Sequence, residues 1–331
     1  MRIRLKIVAV AAALAATAVM TGSAFAQGAW PARNVTIIVP YSAGGATDIL
    51  ARKVAEELTG ELGRTFIVDN RPGAGATLGT TLAAQARPDG YTLFLGQVSS
   101  HGIAPNLYTT LQYDAVEDFE PIVMLESIPN LVVVNNDLPV TTLDELIEYA
   151  RENPGALNFA SSGTGASTHL SGEMFKSRTD TEMTHIPFPG SAQAVTAVMS
   201  GETQVTFDNM PSAYPHVRSG NMRALAVTSA ERSPAAPDVP TVAEASTVVD
   251  LSGFEAASWF ALFAPSGTPQ EVITAVNEAT NRILEKPSMI EFMRDGGGTP
   301  GGGTPQDLAD HVTAELAKWG QVIEEAGVPK Q

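Results

Sequence analysis

The chain has 331 residues, no cysteine and a formal net charge of -16 at pH 7. The length suits about two domains, and the absence of cysteine excludes disulfides, thiolate metal sites, cysteine nucleophiles and a cysteine-linked lipid anchor. So acidic a surface repels nucleic acid and anionic lipid, so neither is expected as a partner; an anionic ligand would have to be held by local donors against the overall field.

In chain order, Arg2, Arg4 and Lys6 precede an apolar run over residues 7–20, followed by Ala24-Phe25-Ala26. This is the pattern of a secretory signal cleaved after Ala26. The run falls short of the roughly 20 apolar residues that span a bilayer. The expected mature protein is therefore exported, soluble and periplasmic. From residue 35, short β-branched runs at 35–39, 66–68, 91–95, 131–134, 157–160, 205–207, 224–227 and 259–264 alternate with amphipathic stretches at 48–62, 142–151, 191–199, 269–284 and 305–326. That alternation predicts an α/β fold on largely parallel sheets. In the last helix Leu308, Val312, Leu316, Trp319 and Ile323 recur at helical spacing and read as a packing stripe. The glycine-dense residues 296–303 read as a flexible turn.

Candidate binding loops follow the strands. In Pro40-Tyr41-Ser42-Ala43-Gly44-Gly45-Ala46-Thr47-Asp48, adjacent glycines let the backbone approach a ligand, and the helix start behind them offers unpaired N–H groups. Thr47 either caps that helix or donates its hydroxyl to the ligand; Asp48 either takes part in binding or is a first-turn acid favoured by the helix dipole. Residues 69–79 carry a glycine spacing like some dinucleotide turns, but Pro72 stiffens the loop and no ribose-binding acid stands at the expected offset, so no cofactor is expected. Polar stretches at 96–101, containing Ser99, and at Asp208-Asn209 also follow strands, where open α/β sheets place ligands. The loop from Ala160 to His169 offers Ser161, Ser162, Gly163, Thr164 and Gly165, hydroxyls and glycines able to surround a carboxylate without a cation. His169 is either a pocket member or a packed structural histidine. A competing hydrolase would use Ser161 or Ser162 with His169 and Asp208, but a nucleophile elbow needs glycine where His169 stands. The five histidines are dispersed without paired spacing, so no metal site is expected.

Together and in order, the segments Val39-Pro-Tyr-Ser-Ala-Gly-Gly-Ala-Thr-Asp48, Val68-Asp-Asn-Arg-Pro-Gly-Ala-Gly75, Pro88-Asp-Gly-Tyr-Thr-Leu93, Ala150-Arg-Glu-Asn-Pro-Gly155, Leu157-Asn-Phe-Ala-Ser-Ser-Gly163, Gln204-Val-Thr-Phe-Asp208, Arg223-Ala-Leu-Ala-Val-Thr228 and Pro237-Asp-Val-Pro-Thr241 resemble the Bug-type substrate-binding proteins of tripartite tricarboxylate transporters. The resemblance covers essentially the whole mature chain. It implies a type II periplasmic-binding-protein fold, two α/β lobes around a central ligand cleft that close like a hinged clamp. Lobe 1 would comprise 27–130 plus 255–331 and lobe 2 131–254, with crossings near 131–134 and 259–264. It also implies a monomeric receptor, not an enzyme, that captures a small carboxylate and delivers it to membrane transporter subunits; a ligand-sensing subunit shares the same chemistry. Mapped by motif, the site would comprise Tyr41, Ala43, Gly44, Thr47 and Asp48 with Ser161, Gly163, Thr164, Gly165, His169 and Asp208, and Gly45 and Ser99 join them from the loop reading. The chain departs from the family pattern at Ala76, where glycine is common, and at Gln193, where proline is usual.

Overall fold

Side chains alternate across a strand, so a strand covered on both faces needs apolar residues at consecutive positions. The sequence supplies them: Leu131 and Val133 join one buried cluster while Val132 and Val134 join another on the opposite face of the same sheet. The structure, a computed structural model, describes residues 30–331; the expected signal at 1–26 lies outside the described residues. Residues 33–331 form one unit. Its strands are β1 Val35–Val39, β2 Phe66–Asn70, β3 Thr92–Gln97, β4 Phe119–Ile128, β5 Asn130–Asn135, β6 Leu157–Ser161, β7 Met183–Pro187, β8 Val205–Asn209, β9 Met222–Val227, β10 Ser258–Pro265 and β11 Thr299–Gly302. The helices that matter for the site are α1 Ala46–Leu62, α2 Thr77–Ala84, α3 Leu143–Glu152, α4 Ser167–Thr179, α5 Ser191–Met199, α6 Met210–Arg218, α7 Gln270–Leu284, α8 Pro287–Asp295 and α9 Pro305–Glu325.

Two sheets result, ordered β11-β4-β10-β3-β1-β2 and β7-β6-β8-β5-β9. Leaving out the edge strand β11, they share one plan: β1, β2 and β3 correspond to β6, β7 and β8, and β10 corresponds to β5. The two-lobed α/β architecture is thus a repeat of topology that the sequence does not display as a repeat of residues. The sheets are mixed, which corrects the expectation of largely parallel ones. Only β1 with β2 and β3, and β6 with β7 and β8, pair parallel; β10 and β5 run against both of their neighbours. The reason is connectivity, because parallel neighbours require a helical crossover within one sheet. By contrast β5 arrives from β4 of the other sheet across Pro129 alone, and β10 returns from the second sheet after Ala256. Residues 131–134 and 259–264 are accordingly interior strands, and the chain changes sheets just before each of them.

Helix starts follow the local chemistry. Thr142 and Glu145 form a capping box at α3, and Thr304 and Asp307 form another at α9. Along α9, Leu308, Val312, Trp319 and Ile323 pack on the first sheet with Leu316 half-buried, and the buried Glu315 accepts the indole N–H groups of Trp259 and Trp319, each at 2.9 Å. The glycines at 296–303 are packed and not a flexible turn: Gly296 and Gly297 turn the chain after α8, Gly301 and Gly302 lie in β11 against β4, and a Cβ on Gly297, Gly298 or Gly301 would lie 2.2–2.6 Å from Met210, Glu126 or Met124, so glycine suits the close approach.

Candidate functional site

The loops after β1 and β6 are built alike. Gly44 and Gly165 both adopt positive φ, +88° and +82°, a region that glycine enters without a Cβ penalty. Each donates its N–H to a side chain four residues on: Gly44 to Asp48 Oδ2 at 2.9 Å, Gly165 to His169 Nδ1 at 3.2 Å. Helices α1 and α4 then start from Gly45 and Ala166, neither of which supplies a side-chain cap. Thr47 therefore lies inside the first turn and is not the cap.

Asp48 is committed to the loop. It also accepts from Arg52 Nε at 3.0 Å and Asn70 Nδ2 at 2.9 Å, and Asn70 reaches back to the Tyr41 carbonyl at 3.0 Å. Burial alone would raise its pKa, yet the Arg52 guanidinium, the Gly44 N–H and Asn70 outweigh it and hold the carboxyl below its ordinary value. His169 is its counterpart. It stacks on His185 with ring centroids 3.9 Å apart, and burial, aided by His185 and Lys176, lowers its pKa to about 3, so the ring is neutral with the proton on Nε2.

Two spaces with lining residues in common lie beside these loops. A chamber of about 10 Å³, roughly one water or one carboxylate oxygen, is lined by Gly45, Ala46 and Thr47 of the α1 start, by Ser162, Ser167 and Ser191, and by Gln97 and Asn209. Tyr41 and Ser162, equivalent positions in the two loops, line both this chamber and an outer cleft of about 560 Å³, within the size range of small-molecule sites. The cleft is walled by residues 72–76, by Gly163 and Thr164, and by Pro187, Phe188 and Pro189. The Tyr41 hydroxyl and both Asp208 carboxylate oxygens are buried and make no well-formed hydrogen bond among the described residues, although Ser99 and Ser162 lie near the one and Ser191 and the Asn209 N–H near the other. Burial pushes Asp208 up to about 7, against the Ser191 hydroxyl and the Asn209 N–H, and raises Tyr41 well above its ordinary value.

The lobes touch across these spaces. Ser42 Oγ donates to Gln193 Oε1 at 2.8 Å, Ala46 N–H to Ser212 Oγ at 2.8 Å, Ser167 N–H to Ser99 Oγ at 3.1 Å, and the Tyr108 hydroxyl to the Thr164 carbonyl at 2.9 Å. Gly75 sits so close that a Cβ there would lie 1.8 Å from the Thr164 carbonyl oxygen. This is a closed arrangement.

Residues 50–328 match the sequence model of the tripartite tricarboxylate transporter family receptors. The chain belongs to this family. Its fold is similar to that of Rpa4515 of R. palustris with adipate (40% identity, 90% of this chain and 98% of that one, TM-score 0.87). It is likewise similar to the periplasmic binding protein BugD (33%, 91% and 100%, 0.87) and to MatC from Rhodopseudomonas palustris with bound malate (33%, 89% and 100%, 0.84).

Within this family member, Tyr41, Gly45 and Thr47 line the chamber, and Gly163 and Thr164 line the cleft. Ala43 and Gly44 are exposed at the loop tip. Asp208 is fully buried beside the chamber-lining Ser191 and Asn209. Ser99 bonds to the α4 start from behind, and Gly165 packs on Leu107 and Tyr108. Asp48 and His169 brace their loops from outside both spaces. Ser161 is fully buried, 2.6 Å from His185 Nε2, and also accepts the Gly163 N–H at 3.1 Å, while Ser162 pairs with Thr168. Ser161, Ser162 and His169 of the competing hydrolase are thus each engaged elsewhere. Sequence reading named no residue of 187–191 as a ligand contact and read 72–76 chiefly as a rejected cofactor turn, although it marked Ala76 and the stretch from Pro189 to Ala194 as departures that bear on pocket shape. Both segments follow parallel strands, β2 and β7, so the rule that ligands sit beyond strand carboxyl ends would have found them. A second cavity of about 230 Å³, lined by Ile49, Leu50, Met210, Phe292 and Met293, holds none of the loop hydroxyls. Among the described residues no cluster of His, Asp and Glu could hold a metal, and no helix is long and apolar enough to cross a membrane.

Proposed function

We propose that this chain is a periplasmic receptor that captures a small carboxylate by closing two lobes over it and delivers it to a tripartite membrane transporter. The observation that carries this is the convergence of two helix starts from opposite lobes, α1 and α4, on one chamber rich in hydroxyls. Helix N-termini present unpaired N–H groups and the positive end of the dipole to an anion, which explains how an acidic protein holds one without a cation. Family membership and the carboxylates bound to Rpa4515 and MatC support the ligand class. Lobe 1 would be 27–130 plus 255–331 and lobe 2 131–254, a division that the membership of the two sheets supports from residue 35 on, save that Asn130 already opens β5 of the second sheet. The site comprises Tyr41, Gly45, Thr47, Ser162, Gly163 and Thr164, with Asp208 beneath, while Asp48 and His169 hold the loops in shape. Closure selects the ligand because only the closed form brings both loops onto it.

The test is thermal unfolding of the mature protein against a panel of carboxylates, sugars and cations. A carboxylate at a hundred times its dissociation constant should add about 2.7 kcal/mol. A shift with sugars or cations alone would overturn the reading. Delivery is checked separately by ligand-dependent co-purification with the membrane subunits.

A further inference from the structure

We infer that the preferred ligand carries a single carboxylate on an apolar body, so that only one end of it is read as an anion. This rests on the capture reading above and narrows it.

The two spaces differ in chemistry. The chamber concentrates polar donors: Tyr41, Thr47, Ser162, Ser167, Ser191 and Asn209 all line it. It is also small enough, at about 10 Å³, to take one oxygen of a carboxylate and nothing bulkier. The outer cleft, which would take the rest of the ligand, is walled mainly by Pro72, Ala74, Ala76, Pro187, Phe188 and Pro189, with hydroxyls only from Thr164 and from Tyr41 and Ser162, which it shares with the chamber. Among the described residues no charged one lines either space. The nearest cation along the chain, Arg71, is held by Asp69 at 2.9 Å, and Arg52, below the first loop, is held by Asp48 at 2.8 Å. A second carboxylate leaving the chamber would therefore lose hydration over proline rings and a phenyl ring and gain no ion pair. It would do so in the field of a strongly acidic protein, with the buried Asp208 beside the chamber. An alkyl or aryl body in the same place buries apolar surface at no such cost.

The experiment measures dissociation constants by titration calorimetry at pH 7.5 for matched acids: hexanoate against adipate, and benzoate against terephthalate. We expect each monocarboxylate to bind about tenfold or more tightly than its dicarboxylate partner, a difference of about 1.4 kcal/mol. Equal or tighter binding of the dicarboxylates would overturn the inference and leave carboxylate capture standing; no binding by any of the four, nor by acids of other lengths, would overturn the capture reading and the inference with it. Pro189→Arg, at an exposed position on the cleft wall, places a cation where none stands and should shift the preference toward adipate. Were the wild-type preference for hexanoate unchanged in that variant, the absence of a cation would not be its cause, and the inference would fall.

Discussion

The two glycine loops make the same backbone demand and meet it with different chemistry. Gly44 and Gly165 each turn into the left-handed region and expose an N–H that must find an acceptor within the loop. In the first lobe the acceptor is Asp48, a carboxylate paired with the Arg52 guanidinium and hydrogen-bonded by the Asn70 amide. In the second it is His169, a neutral imidazole stacked on His185. Neither solution leaves a free charge facing the chamber, so in the proposed site anion selectivity would come from oriented N–H and O–H groups. The two loops should nonetheless fail at different pH.

The largest effect comes from the contact that makes the loops act as one. Gly75→Ala would drive a Cβ into the Thr164 carbonyl across the closed cleft, on top of the left-handed strain its φ of +58° imposes in either state. We expect ligand affinity to fall by about a hundredfold or more, since the apparent constant scales with the population of the closed state. Small-angle scattering should then show no compaction at ligand levels that close the wild type. Normal compaction would mean that the loops need not meet.

Next in size is the pH contrast. His169 has a folded pKa of about 3 against an ordinary value near 6.5, so it takes up a proton more readily when unfolded. Its contribution to stability is complete above about pH 6.5 and is lost as pH falls toward the folded value. Between pH 7.5 and 5 the loss from this one group is about 2 kcal/mol. Asp48 is depressed below an ordinary carboxyl, so its contribution is complete above about pH 4 and is lost only under stronger acid. Urea unfolding at the two pH values should show His169→Gln flattening the dependence by about that amount, while Asp48→Asn leaves the slope over this interval unchanged. If both variants behaved alike, the loops would not differ in the way their acceptors imply.

How much of this was legible in advance follows from where the information lies. The loops at 40–48 and 160–169 announce themselves because glycine pairs and hydroxyls before an amphipathic run are local signals. The helix stripes from Leu50 to Leu58 and from Leu308 to Ile323 are local too, and both proved to face cores. Strand direction is not local: nothing in Leu131 to Val134 tells that β5 arrives from the other sheet and so runs antiparallel. The same holds for the glycines near 301, whose need for close approach depends on Met210, Glu126 and Met124, and for Ser161, whose partner His185 lies on the next strand. Asp48 and His169 drew attention as binders because polar residues at a helix start suit a ligand and a loop brace equally well. Only the acceptor geometry separates the two roles.

The two departures from the family pattern give the smaller effects and belong to the lobes' meeting edges. Gln193 accepts the Ser42 hydroxyl across the cleft mouth, a bond that proline could not make. Being exposed, it should be worth about 0.5–1 kcal/mol, so Gln193→Ala should weaken ligand binding a few-fold by speeding release, read by stopped-flow. An unchanged release rate would show that this bond forms without holding the closed state.

Ala76 carries the smallest effect and the sharpest sign. It adopts φ +85°, with Ala74 at +46° and the glycines around it also positive. A non-glycine residue in this region pays about 1–2 kcal/mol in contact between Cβ and backbone. Replacing it by glycine removes that strain but frees the unfolded chain by about 0.4–1 kcal/mol. The net expectation for Ala76→Gly is a gain of up to about 1.6 kcal/mol in unfolding free energy. Because Ala76 also lines the cleft beside Tyr41, the same change removes a methyl from the apolar wall. Stability should therefore rise slightly while affinity for an apolar-bodied acid falls slightly. Urea titration with and without hexanoate separates the two, and a loss of stability in the free protein would show that the left-handed conformation at Ala76 carries no strain.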